Sequence, residues 1–540
     1  MPFSPINYEN SNFGMSKIVS LIPIAALACI SSPAQVTQTV PRIVVNITVD
    51  QLRSDYMNAF MPIYGEKGFK RLLKDGKVYN HAEYPQSGLS RASSIATVST
   101  GTVPYDHGII GEEWLDRKTL RPISCVDDDS YEGLLTAEKT SPVHLTVSTI
   151  GDELKIASEG KSVVYAISPF RDASVLGAGH AADGAFWINR LTGRWCGTSY
   201  YGAFPTWASA VDRQSLLDDR LKSTLWKPIS ELSGNFSYFL SGGVKKPFEH
   251  RFKGDLRFTS FLTSGLVNEH VCDFALACIN GSGMGNDEIT DYLSVTFYAG
   301  NFESKPVADY PMELQDTYLR LDQSIARLID SVESKVGKDH VLVVLTSTGY
   351  CNEETRNLYT YRIPTGTFYI SRTAGLLNMY LGAIFGNGQY IDGTYGNAIY
   401  LNHKLLEEKQ ISLGDVLGRC EEILLQSDGV KEVYTSQRLV QGAWTPSISK
   451  IRNSYNSKVS GDILVQVSPG WYIFNEDTKD TRLVRESYVP FPIIFYGNRL
   501  ESSIIETPVS VDCIAATIAQ VVRIRAPNAC SSAALGGFSY

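Results

Sequence analysis

Histidine is scarce in this chain: 8 in 540 residues. That scarcity narrows the metal chemistry open to so long a protein. A basic excess is missing as well, with Lys+Arg at 49 against Asp+Glu at 57 and a formal net charge of -8. A nucleic-acid binder would carry a basic stripe, so that class is excluded. The 9 Cys include no Cys-x-x-Cys pair, which excludes zinc-finger and thioredoxin-like motifs. The 23 Pro and 44 Gly are too few for a fibrous or largely disordered chain. Beyond the N-terminus no run is apolar enough to span a membrane. What is left is a folded chain of ordinary composition, long enough for a large core.

The first residues read as an address. An apolar run from Ile18 to Ile30 follows Met15-Ser16-Lys17 and leads into Ser31-Ser32-Pro33-Ala34-Gln35. A charged start, an apolar middle and a small-residue exit are the signature of a secretory signal peptide. Cleavage is expected after Ala34, with Met15 as an alternative start. Ala26-Leu27-Ala28-Cys29 offers a rival lipoprotein site, which would tether the chain to a membrane through Cys29. The protein is expected in the periplasm or cell envelope, where disulfides persist. One or more are expected among the eight cysteines beyond the leader.

Continuous β-branched and aromatic runs predict buried parallel strands at Ile43–Val49, Val163–Ile167, Leu293–Phe297, Val341–Leu345 and Ile493–Tyr496. A helical pattern starts at Asp316, read as its N-cap, and Gly337 closes it. Strands alternating with helices predict an α/β fold with a mostly parallel central sheet. Ligands in such sheets bind beyond the carboxyl ends of the strands. The residues to inspect are therefore Asp50, Ser168 to Asp172, Asn301 to Lys305 and Ser347 to Tyr350. No linker separates independent domains. Residues 40–540 read as one domain, with an inserted cap at about 187–283 and a second lobe at about 352–485.

Three stretches carry a resemblance. Ile43 to Arg53 reads IVVNITVDQLR. Glu83 to Gly108 reads EYPQSGLSRASSIATVSTGTVPYDHG, and Ile109 to Trp114 follows. Together with Ala178 to Ala182, Asp316 to Asp322, Ile399 to His403 and Phe495 to Gly497, they resemble the alkaline phosphatase superfamily. The similarity is to its nucleotide pyrophosphatase/phosphodiesterase branch, and within that to the phosphate-irrepressible periplasmic alkaline phosphatases of Bacteroidetes-type bacteria. The resemblance implies a three-layer α/β sandwich. It also implies two zinc ions held by three Asp and three His. These activate a Thr or Ser nucleophile and stabilise charge on the transferred phosphoryl group.

Carried over position by position, Asp50 matches the first ligand. Asn301 and Lys305 stand for an Asp and a His, Thr348 and Gly349 for an Asp-His pair, and Tyr488 for the last His. The ungapped match to the nucleophile is Arg91, and one inserted residue would make it Ser90. Phe170 and Asp172 replace the Lys and Arg that bind substrate phosphate. Three of these residues have two readings. Asp50 is either a remaining metal ligand or a strand-end carboxylate kept for hydrogen bonding. Ser90 is either a nucleophile or the N-cap of a helix over Arg91 to Thr100. Lys305 is either a solvated surface residue or, like Arg91, a cation filling a zinc's place beside Asp50, since a buried carboxylate needs a partner. Seven of the 8 histidines (His81, His107, His144, His180, His250, His270, His403) show no zinc-like spacing. The expectation is a degenerate family member without a cofactor, a pseudoenzyme that binds an envelope protein or ligand. The alternative is an active phosphate mono- or diester hydrolase with a rearranged site.

Overall fold

The structure, a computed structural model, describes residues 39–214, 216–229, 247–307, 309–351, 362, 364–442, 445–483 and 489–538. The leader, its Cys29 and Tyr488 lie outside the described residues.

At the centre is β1 (Ile43–Asp50), eight residues buried along their whole length. Burial on both faces explains why its sequence is continuously apolar rather than alternating. On one side β1 pairs in parallel with β3 (Asp291–Tyr298), and β3 with β2 (Val164–Ile167). On the other side β1 pairs in parallel with β4 (Val341–Ser347). The sheet has ten strands, and β5 (Ile493–Gly497) lies next to β4. There the expectation of a parallel strand is corrected, because β5 runs antiparallel to β4. A short apolar run says that a strand is buried but not which way it points.

Helices cover both faces. Consecutive strand residues point to opposite faces. Tyr165 packs edge-on against Trp207, while Ala166 and Ser294 lie under Gly177 of α2 (Arg171–Ala178). α1 (Arg91–Thr100) is buried throughout and packs on α2. The long α3 (Pro311–Val336) ends at Gly337, as expected, where φ is +86°. Its start differs from expectation. The helix begins at Pro311, whose fixed φ suits a first helical position. Asp316 is buried inside it and accepts hydrogen bonds from Trp226 Nε1 at 2.7 Å and Arg320 Nε at 2.6 Å. Its carboxylate pairs outward, so it is not the cap.

Within 187–283, Trp187 and Ile188 belong to a strand of the central sheet, and helix Leu266–Gly281 packs on α3. Within 352–485, a four-stranded antiparallel sheet carries its own apolar core. α4 (Ile370–Phe385) and α5 (Leu413–Leu425) pack on that core. No disulfide joins cysteines among the described residues, contrary to expectation; Cys125, Cys196, Cys272, Cys278, Cys420 and Cys513 are each buried within the packed interior.

Candidate functional site

The carboxyl ends of β1, β2 and β4 meet the start of α1. Asp50 closes β1 and is fully buried. Its Oδ1 accepts a hydrogen bond from Thr348 Oγ1 at 3.0 Å, and Thr348 follows β4 directly. Its Oδ2 lies 3.6 Å from Arg91 Nη1. Burial raises the carboxyl's pKa, and Arg91, Thr348 and the neighbouring Tyr350 hydroxyl pull it part of the way back. The next residue, Gln51, is held at φ +64°, a costly conformation for a non-glycine residue. Its N–H donates to Thr348 Oγ1 at 2.9 Å, tying the two strand ends together.

Arg91 is the hub. Its Nε and Nη2 grip Asp172 bidentately, at 2.9 Å to Oδ2 and 3.1 Å to Oδ1. Its guanidinium carbon lies 3.9 Å from the centre of the Phe170 ring. Nη2 is also 3.4 Å from Glu112 Oε1. Burial opposes the charge, but Asp172, Glu112 and Asp50 hold it well above the ordinary arginine value. The planar fork of arginine suits both the bidentate pair and the stacked ring. Phe170 and Asp172 therefore bind a guanidinium from within the chain, in the positions where the resemblance implies cations for phosphate. The expectation of a cation beside Asp50 holds for Arg91.

It fails for Lys305. That side chain is 49% exposed and pairs with Glu303 at 2.7 Å, while its ammonium also donates to Tyr310 at 3.3 Å. The reason is the loop path. Glu303 and Ser304 both take positive φ, at +50° and +54°, and the turn aims Lys305 at its own loop. Asn301 is half-buried, and its backbone carbonyl accepts from Tyr298 at 2.7 Å. Gly349 has φ +73°, and a Cβ there would fall 2.6 Å from the Tyr84 ring, so a larger residue would not fit without a shift.

Ser90 caps α1. Its Oγ accepts from Ser93 N at 3.2 Å, and Ser93 Oγ accepts from Ser90 N at 3.1 Å. Both hydroxyls are engaged in this reciprocal box. His107 approaches α1 from below. Ile109 N donates to its Nδ1 at 3.1 Å, so Nε2 carries the proton and donates to Thr97 Oγ1 at 3.2 Å. Burial pushes its pKa down to about 3. His180 pairs with Asp152, His250 with Glu313 and His403 with Asp462.

The profile of the family described as type I phosphodiesterase / nucleotide pyrophosphatase matches residues 44–489. The chain belongs to that family. It is 29% identical over 522 residues to alkaline phosphatase PafA of Elizabethkingia meningoseptica, covering 92% of this chain and 94% of that one. It is 28% identical to a Myroides odoratus protein named calcium-transporting ATPase, covering 90% of this chain and 93% of the relative. A crystal structure of wild-type alkaline phosphatase PafA superposes with a TM-score of 0.81 at 26% identity, covering 93% of this chain and 99% of that one. The fold is therefore that of the alkaline phosphatases.

Among the described residues, those at the carried-over positions do not fit the two zinc ions that the resemblance implies. Zinc takes Asp, His and Cys donors in clusters. Among the described residues no group of three His, Cys, Asp or Glu is placed to hold a metal ion. Asp50, the one matching ligand, faces a guanidinium and a threonine hydroxyl.

Sequence reasoning places Tyr350 among the strand-end residues but gives no role to Glu112 and does not pair Arg91 with Asp172. The signal for that pairing was the gain of two opposite charges, Arg91 and Asp172, at carried-over positions. Two cations are lost at positions 170 and 172, an anion is gained there, and a cation is gained at 91.

Proposed function

We propose that this chain is a degenerate family member in which an internal ion pair replaces the metal-dependent phosphoryl-transfer centre. It would act as an exported, non-catalytic binding protein of the cell envelope. The supporting observation is the bidentate clasp of Arg91 on Asp172, with Asp50 behind it. A phosphate group approaching these strand ends meets Asp172 and Glu112 rather than free cations. A neutralised guanidinium offers such a group little attraction, and Asp172 repels it. Ser90 caps α1 and, among the described residues, has no imidazole among its hydrogen-bond partners to take a proton.

The second reading is an active phosphate mono- or diester hydrolase with a rearranged site. It is favoured by the named alkaline phosphatase relative that spans nearly the whole chain. Turnover of aryl phosphate mono- and diesters, with and without added zinc, separates the two. Rates equal to the buffer blank, unchanged in Ser90→Ala, support the degenerate reading. Zinc-dependent hydrolysis lost in Ser90→Ala overturns it. Recovery of a defined envelope protein or ligand with the tagged chain would supply the binding partner.

A further inference from the structure

α4 is amphipathic, but its outer face is not polar. Leu377, Leu381 and Ala374 point into the second lobe's core. Leu376 and Met379, on the other side, are 55% and 65% exposed. Tyr369 precedes them and Ala383 follows them at helical spacing, and both are exposed. Gly375 flanks this stripe, and a Cβ there would meet nothing within 4 Å. The helix carries one charged residue, Arg372, at its N-terminal end. A surface helix ordinarily shows charged residues on its outer face, so an apolar stripe there is a candidate contact surface.

The opposite end of the helix is acidic on balance. Ile384 and Phe385 share a hollow of about 520 Å³ with Asp415, Arg419 and Glu422 of α5. Arg419 is already paired with Glu422 at 3.4 Å, so Asp415 is the acid in excess. Arg372 lies 3.6 Å from Glu476 and stacks over Tyr369, with its side chain still 68% exposed.

We propose that α4 is the contact face of a two-fold dimer of this chain. Two copies of the helix, antiparallel about a point between Leu376 and Met379, would bring the apolar stripes together. The same operation sets Arg372 of each copy level with Ala383 of the other, next to the hollow holding Asp415. One self-complementary patch then satisfies both charge and hydrophobicity, as a two-fold interface requires. The stripe is about 21 Å long. Its area falls short of the roughly 800 Å² a side of a stable complex, so association is weak and depends on concentration.

Sedimentation velocity of the intact protein over a wide concentration range tests this. The weight-average mass should climb toward twice the chain mass. Leu376→Glu and Met379→Glu should each weaken association about tenfold or more. Arg372→Glu should weaken it less, and adding Asp415→Arg should restore it. All four side chains are on the surface, so circular dichroism and thermal midpoints should match the parent. A monomer at every concentration overturns the proposal. Association indifferent to Leu376→Glu also overturns it, as does a charge exchange that fails to restore. Binding to anionic vesicles that Leu376→Glu abolishes, in a protein that stays monomeric, would assign the face to a membrane instead.

Discussion

Two loops at the carboxyl edge of the sheet have diverged in opposite directions. Around β1 and α1, charge has moved inward. Asp50, Asp172 and Arg91 are buried and satisfy one another. After β3, charge has moved outward: Lys305 and Glu303 pair in solvent within their own loop. Both loops hold positions where the resemblance implies zinc ligands. The buried loop needs a cation beside Asp50, because a lone carboxylate in the interior is expensive. The exposed loop does not, because water screens and solvates its charges. Of the two loops, only the one whose carboxylate is out of solvent holds a buried partner cation.

The sharpest test of that contrast is Arg91→Met. It leaves Asp50 and Asp172 buried without a cation and should cost about 3–5 kcal/mol in denaturant unfolding. Adding Asp172→Asn should recover part of the loss, since the two side chains share one interaction. Purely additive losses would show that the clasp contributes nothing of its own.

Acid comes next. His107 and His270 are buried, and burial pushes each down to about 3. A depressed folded pKa means that the unfolded chain takes up protons first. Their contribution is intact above the ordinary imidazole value of 6.5 and is lost as pH falls from there toward 3. His180, raised by its hydrogen bond to Asp152, acts in the other direction: its contribution is full below 6.5 and is lost as pH rises through its folded pKa. The thermal midpoint should therefore fall on acidification below 6.5, and His107→Gln should flatten that fall.

Ser90→Ala removes an N-cap and should cost about 1 kcal/mol, read by the same unfolding assay. A much larger effect would give Ser90 a role beyond α1. Smallest of all is Lys305→Ala, which should leave the unfolding midpoint within error. A large loss there would erase the contrast between the two loops.

Much of this architecture could be read before any coordinates. β1, β3 and β4 announce themselves because a strand covered on both faces must be apolar throughout. Ser90 and Gly337 were legible as helix ends, because caps depend on neighbouring residues alone. The direction of β5 was not, because parallel and antiparallel buried strands have the same composition. Asp316 misled because a capping carboxylate and a buried one paired with Trp226 and Arg320 look alike in sequence. In the site, the substitutions at 91, 170 and 172 were each visible. Their mutual pairing was not, because 81 residues separate Arg91 from Asp172 and only the fold joins them.

Under the proposed function, Arg91 holds the place of a metal centre. This reading is tested most directly by metal analysis of the purified chain after saturation with zinc and removal of free ion. No retained zinc is expected, with Asp50 still facing Arg91. Close to two zinc ions per chain, the number the resemblance implies, would contradict it.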